Sequence, residues 1–354
     1  MPTRPFPSRY PWREPRGECG VDREQRGPGR PDRQRTGTGS RSVTPASGVD
    51  VVVLGDVMAD TVALLETALV PDADNPAEFV QALGGQAANT AAWLAAAGSR
   101  VHLVAAVGAD GMGTWVRERL HERGLPHSLA TVDAPTGRCV VVTEPTGVRT
   151  MLPNSGANAL IGRSDAGQMV TALLEGGARH LHLSGYVPLH DADFAARMVQ
   201  LAKSYGASTS MDTPAVFAES TWAPVAVPSV DVLLGTAPEL THLLQLDAAT
   251  PAALADCIAD RFAGQVDRPS CVLVKAGARG AWLIAERTTN VPSVAASVVD
   301  TTGAGDAFTA GFLAAWTAGQ SAETAADTAS VLAARALTQR GGQPSSDEGQ
   351  HGNL

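Results

Sequence analysis

From residue 51 onward, short runs of β-branched and aliphatic residues alternate with Ala-rich stretches of helical length. This alternation narrows the choice of folds more than any other feature of the chain. Val51-Val52-Val53-Leu54-Gly55 reads as a buried strand closed by a turn. Residues 86–98 form an Ala-rich helix that stops at Gly98. Val101–Val107 is the next strand and Gly113–Arg123 the next helix. Residues 137–152 contain two strand-like runs around Pro-Thr-Gly, a hairpin pattern. Further strands are expected at His180–Leu183, Ser208–Asp212, Val230–Leu234 and Cys271–Lys275, with Ala281–Ala285 pairing beside the last. Helices are expected near 165–176, 191–205, 238–245 and 251–264, and two long ones at 304–318 and 321–338. Such alternation predicts a mainly parallel sheet with helices on both faces.

Residues 1–48 are different. They are rich in Pro, Arg, Gly and Ser and bring ten arginines against five carboxylates. They hold too little apolar surface to offset the entropy of ordering, so they read as a disordered, dispensable tail; 346–354 reads the same way. The ordered region is therefore 49–345. The whole chain carries −9, so everything beyond residue 48 carries −14, an acidic body that argues against nucleic acid as a partner. Four scattered cysteines, Cys19, Cys139, Cys257 and Cys271, have neither disulfide-framework nor metal-ligand spacing. No apolar run reaches the ~18–20 residues needed to span a bilayer, and the N-terminus has no apolar signal core. The expectation is a cytoplasmic protein with no membrane partner.

The chemistry concentrates in Asp300-Thr301-Thr302-Gly303-Ala304-Gly305-Asp306, which runs into an Ala-rich helix. Glycines at a helix start expose unpaired N–H groups where the helix dipole is positive, which makes an anion site out of backbone. Asp306 lies in the first turn beside it. A carboxylate there can take a hydroxyl proton while the amides hold a transferring phosphoryl group. Taken alone, the segment is equally compatible with an ordinary Gly-rich helix start that carries a first-turn acid.

The wider sequence resolves that ambiguity. DTTGAGDAFTAGF resembles the C-terminal signature of the ribokinase-like carbohydrate kinases, the PfkB family. Leu83-Gly84-Gly85-Gln86-Ala87-Ala88-Asn89, followed by LAAAGSRVHLVAAVGADGMG, resembles that family's first signature. Gly185-Tyr186, VKAGARG at 274–280 and RGGQPS at 340–345 fall where the family has similar segments. The resemblance spans about 50–345. It implies a three-layer α/β core with a small β lid built from about 61–82 and 137–152.

It also implies roles. Asp306 matches the base, and Gly303, Ala304 and Gly305 the anion hole. Asp60, Gly84, Gly85 and Asn89 match the sugar site. Lys275, Gly277, Gly280, Thr302, Gly303 and Gly305 match the ATP site. Glu239 matches a residue that organises Mg²⁺ through water. Asp300 and Thr302, with carbonyls near Ala336, Gln339 and Gly341 and with Ser345, match a monovalent-cation site suited to K⁺. Two departures stand out. Thr236 replaces the Asn of an Asn-x-x-Glu motif, and Gln86 stands where ribokinases often have Lys, which bears on ribose as substrate. The implied function is ATP-dependent phosphorylation of a hydroxyl on a small sugar-like molecule, by a homodimer paired through its lids. A nucleoside or vitamin-precursor kinase of the same fold is the alternative; a non-catalytic ligand sensor would have no use for Asp306.

Other residues carry less. His180 and His182 alternate on one strand face with no third ligand near in sequence. Arg149 reads as a solvated hairpin residue, with contact to an acidic substrate group as its alternative. Neither lysine, Lys203 or Lys275, follows a glycine, so a Walker-type phosphate loop is excluded. GDVMAD after the first strand lacks the dinucleotide fingerprint.

Overall fold

The computed structural model describes residues 48–215 and 229–345. The tails expected at 1–48 and 346–354 lie outside the described residues, except Gly48. Thirteen strands and nine α-helices are described. The large sheet takes β1 (Val51–Leu54), β4 (Val101–Gly108), β5 (His127–Val132), β8 (His180–Leu183), β9 (Ser208–Asp212), β10 (Val232–Thr236), β11 (Cys271–Lys275), β12 (Ala281–Ile284) and β13 (Thr288–Val291). The remaining strands, β2 (Met58–Leu65), β3 (Ala77–Gly84), β6 (Arg138–Thr143) and β7 (Arg149–Asn154), form a separate small sheet. The helices are α1 (Gln86–Ala96), α2 (Gly111–Glu122), α3 (Ala166–Glu175), α4 (Tyr186–His190), α5 (Ala192–Ser204), α6 (Ala237–Leu244), α7 (Pro251–Phe262), α8 (Ala304–Thr317) and α9 (Ala322–Leu337).

The large sheet runs β13-β12-β11-β10-β9-β8-β1-β4-β5. Neighbours from β5 to β11 are parallel, and β12 and β13 are added antiparallel at one edge. Its strands alternate between two apolar clusters. Val51 and Val53 join the cluster under α1, α2, α8 and α9, whereas Val52 and Leu54 join the one under α3, α5, α6 and α7. Burial on both faces is why these strands appear as unbroken apolar runs. One part of the α1/α8 face is polar. His180 is hydrogen-bonded to Ser208 and Ser210 (both 2.7 Å) and His182 to Ser210 (2.8 Å). Burial drives both imidazoles down to about 3, so they are neutral sheet residues. Among the described residues no group of three or more His, Cys, Asp or Glu is arranged to hold a metal.

The small sheet runs β3-β2-β6-β7. Its β6–β7 pair is the expected hairpin, closed by Gly147 N–H to the Glu144 carbonyl (2.8 Å), although β7 continues to Asn154. Only Met58, Cys139 and Val141, with Val62 against them, form an apolar cluster here. Phe79, Leu152 and Met151 are exposed, Phe79 to 70%. The sequence reading marked 61–82 as lid without identifying its strands, and it missed β5, β13 and α4. It also placed β10 two residues early. The strand extends to Thr236 because that residue both ends it and caps α6, its Oγ1 accepting from Glu239 N–H.

Candidate active site

The C-terminal ends of the parallel strands open toward the small sheet and the start of α8. Here Asp300 organises the turn. Its Oδ1 accepts from Thr302 N–H (2.8 Å) and the Thr302 hydroxyl (2.7 Å), and its Oδ2 from Gly341 N–H (2.9 Å). Burial pushes this carboxyl upward, but the Gly341, Thr302 and Arg149 contacts outweigh it and leave the pKa below the usual range. Gly303 then caps α8 at φ 73°. A Cβ on Gly303 would lie 2.3 Å from the Gly342 carbonyl, so both conformation and space demand glycine. Gly342 is held in turn by Trp93, whose Nε1–H donates to its carbonyl (3.0 Å). A Cβ on Gly305 would meet nothing within 4 Å, so that position faces open space. Among the described residues, the N–H groups of Gly303, Gly305 and Asp306 meet no backbone carbonyl, while that of Ala304 has a long 3.4 Å contact to Thr301. A positive helix start with free donors beside open space suits an anion.

Asp306 is half-buried in the first turn of α8. Its Oδ2 accepts from Asn89 Nδ2 (2.9 Å), which explains a polar residue inside Ala-rich α1. Desolvation, with the charges of Asp212 and Asp56 adding, pushes its carboxyl up to about 8 against the Asn89 bond and Lys275. That value suits a general base near neutral pH. The Asn89 Oδ1 is buried without a partner.

Asp60 enters from β2. Burial, then repulsion from Asp56, pushes its carboxyl up to about 7, and its Oδ1 is buried with no partner. Two unpartnered acceptors in one cleft are what a polyhydroxy ligand would satisfy. The paired glycines serve this geometry. A Cβ on Gly84 would lie 1.9 Å from Asp60 Oδ2, and Gly85 sits at φ 102° with Asp56 behind it.

Several expected residues occupy other positions than the sequence implied. Lys275 Nζ binds both Asp212 oxygens (2.8 and 2.9 Å), Thr309 Oγ1 (2.7 Å) and the Gly305 carbonyl (3.1 Å). Those acceptors use all of its hydrogens, so Lys275 braces α8 from beneath. Gly277 (φ 58°) faces open space, whereas Gly280 (φ 79°) is pressed against the Val291 carbonyl and serves β13. Glu239 Oε2 accepts from Thr213 Oγ1 (2.6 Å) and Thr236 N–H (2.8 Å), closing the capping box of α6, with Oε1 outside that box. Burial raises the pKa of Glu239, opposed by those two bonds. Gln86 links Gly185 N–H (2.9 Å) to the Thr213 carbonyl (3.0 Å).

In the expected K⁺ set, the Asp300 carboxylate already faces a guanidinium and three further hydrogen donors. Arg149 Nη1 lies 2.9 Å from Asp300 Oδ1, and its Nη2 donates to the Thr301 hydroxyl. Gly341 presents its N–H to Asp300. The Gln339 side-chain oxygen takes Ser345 N–H (3.0 Å), and the Ala336 carbonyl accepts from Gln339 N–H (3.4 Å). Arg149 is thus neither solvated nor held for a substrate group.

Sequence reasoning missed Asp56. It is 3% exposed and accepts from Gln86 N–H (2.8 Å), Ala87 N–H (3.4 Å) and the Ser184 hydroxyl (2.6 Å), fixing the start of α1. Its position directly after Gly55 was the available signal.

Comparison with known proteins bears on the family and the fold. The family model described as pfkB family carbohydrate kinase matches residues 49–348. An ATP-dependent ribose-1-phosphate kinase of Halopiger xanaduensis is 29% identical over 75% of this chain and 84% of its own. A ribokinase of Arabidopsis thaliana is 27% identical over 86% of this chain and 82% of its own. The solved structure of ribokinase from Giardia lamblia superposes with a TM-score of 0.73 at 19% identity, covering 85% of this chain and 99% of that one. The matched range takes in both signature segments, and the chain belongs to the pfkB family of carbohydrate kinases, phosphotransferases that act on a sugar hydroxyl.

Proposed function

We propose that this kinase transfers the terminal phosphoryl group of ATP to a hydroxymethyl oxygen of a ribose-type sugar, with Asp306 as general base. The observation that carries the reading is Asp306 itself: a carboxyl pushed up to about 8, held by Asn89 at a helix start with free N–H donors. The sugar lies against Asp60 and Asn89, whose unpartnered oxygens accept its hydroxyl hydrogens. The reacting hydroxyl gives its proton to Asp306 as its oxygen bonds to phosphorus. The bond from phosphorus to the ADP oxygen breaks, and ADP leaves with that electron pair. The Gly303, Ala304 and Gly305 amides hold the charge on the transferring group. A ribose skeleton is favoured by the two relatives named for ribose and ribose 1-phosphate.

Mg²⁺ fits the acidic cleft. The charges of Asp212 and Asp56 raise the pKa of Asp306, and that of Asp212 raises the pKa of Glu239. Glu239 would hold the ion through water, and the ion would offset phosphate charge. The exposed apolar face of the lid pairs with a second copy in a homodimer. ATP as donor is consistent with a cytoplasmic site of action, and no described helix is long and apolar enough to cross a membrane.

The test is ADP release across ribose, ribose 1-phosphate, hexoses, adenosine and vitamin precursors. Turnover highest on a ribose-type sugar supports the proposal. Preference for adenosine would move the assignment to nucleosides, and nucleotide binding without turnover on any acceptor would make the protein a sensor.

A further inference from the structure

Arg149 lies in β7, the edge strand of the lid, 151 residues from the carboxylate it meets. Its guanidinium makes two contacts with the turn that leads into the anion hole, one to Asp300 and one to the Thr301 hydroxyl. With Arg149 in place, Asp300 accepts four hydrogens: from Thr302 N–H, the Thr302 hydroxyl, Gly341 N–H and Arg149. That is about the full capacity of a carboxylate. A soluble monovalent cation needs oxygens facing it, and here hydrogens and a fixed positive charge face the carboxylate instead. The side chains are only 20% and 22% exposed, so the pair is shielded from salt better than a surface pair.

We infer that Arg149 is a positioning residue whose guanidinium, carried in by the lid, takes the place of a soluble monovalent cation at Asp300 and sets the phosphoryl turn. Three residues beyond Asp300, Gly303 starts α8, so the angle of the anion hole follows from how Asp300 is held. The lid strand that bears Arg149 is hydrogen-bonded to β6 opposite Thr143, and β6 in turn pairs with β2, where Cys139 stands opposite Asp60. The sheet that grips the sugar through Asp60 therefore also holds the turn that grips phosphate. Sugar binding and nucleotide binding become linked through the lid, each strengthening the other by the same factor.

The linkage rests on the function proposed above; the ordering of the turn does not, and one experiment separates them. Full-length wild type, Arg149→Met and Arg149→Lys are compared, each checked first by thermal melting. Amide hydrogen exchange without ligands reads the turn directly. In Arg149→Met, exchange of the Thr302 and Gly341 amides, which Asp300 holds, should rise roughly tenfold, the worth of about one charge-assisted hydrogen bond, while β6 stays protected. Arg149→Lys, which keeps the charge, should fall between, and it replaces the Met variant if that one fails to fold. Phosphoryl transfer is then measured in K⁺, Na⁺ and tetramethylammonium. Wild type should run at one rate in all three. Arg149→Met should lose roughly tenfold in kcat/KM and regain part of it with added guanidinium or K⁺, with nucleotide affinity no longer rising when sugar is present. Unchanged turn exchange in Arg149→Met overturns the inference, and so does a wild type stimulated severalfold by K⁺. A wild type inactive on every acceptor sinks the proposed function and leaves the exchange result to decide the role of Arg149.

Discussion

In the large sheet, β1, β4 and β8 are buried at every residue; in the lid, no residue of β7 is buried. The two sheets use similar aliphatic residues for opposite ends. The large sheet has helices on both faces and derives its stability from them. The lid has a three-residue apolar cluster and an outward face carrying Phe79 and Leu152. Two- to four-stranded sheets with so little core are marginal by themselves. The lid is therefore positioned by what it touches, through Arg149 on Asp300 and the glycines beneath Asp60. Damage to the large sheet should cost the fold, whereas damage to the lid should cost binding.

The largest expected effect lies at the seam between the two regions. Asp306→Asn should lower kcat by about 10²–10⁴-fold, the usual worth of a general base, while the protein still folds and binds ATP. Retention of more than about a tenth of wild-type kcat would remove Asp306 as base. The same variant should be more stable than wild type. The folded carboxyl keeps its proton up to about 8, whereas the unfolded one releases it in the ordinary carboxylate range, so stability is lost as pH rises between these limits. The gain in Tm from Asn should therefore grow from pH 4 to pH 8. For the free wild-type enzyme, kcat/KM should rise with pH through about 8 on its acid limb.

Next come two changes in the core. Phe312→Ala, at a fully buried site stacked on Trp316, should cost about 3–5 kcal/mol in denaturant unfolding. Lys275→Met leaves the Asp212 carboxylate, with a side chain 2% exposed, without its ammonium, and should cost a similar ~3–5 kcal/mol. If either variant unfolded like wild type, the division between core and lid would lose its basis. Asp60→Asn should raise KM for sugar by about tenfold, the loss of roughly one hydrogen bond to a charged group, with a smaller fall in kcat and, as at Asp306, a gain in Tm that grows from pH 4 to about 7. A larger effect on kcat than on KM would move Asp60 into the chemistry. Smallest of all, Phe79→Ser with Leu152→Ser should change stability by less than about 0.5 kcal/mol yet convert a dimer to a monomer in light scattering. A wild type already monomeric would remove lid pairing.

The same contrast explains what the sequence disclosed. Val51–Leu54 and Cys271–Lys275 announce themselves because burial on two faces demands apolar runs. β3 does not, since AEFVQALG leaves both Phe79 and Val80 exposed, one on each face, which breaks the expected alternation. Asp306, Asn89 and the glycines were legible because their chemistry is local or lies in compact motifs. Arg149 was not: its partner is 151 residues away, and nothing in a hairpin sequence reveals where its edge will rest. The bracing contacts of Lys275 were hidden for a related reason. Its partners Asp212 and Thr309, 63 and 34 residues distant, become neighbours only when β9, β11 and α8 meet.

The clamp of Gly341 and Gly342 on the phosphoryl turn has a consequence for the order of events during synthesis. Asp300 and Gly303 are fixed by residues roughly forty positions later in the chain, after every strand of both sheets has been made. A growing chain emerging from the ribosome can pair its strands before then, since domains fold as they appear. It cannot finish its phosphate cradle. A chain cut before Gly341 should therefore still pair its strands but leave the turn at Asp300 and Gly303 unclamped.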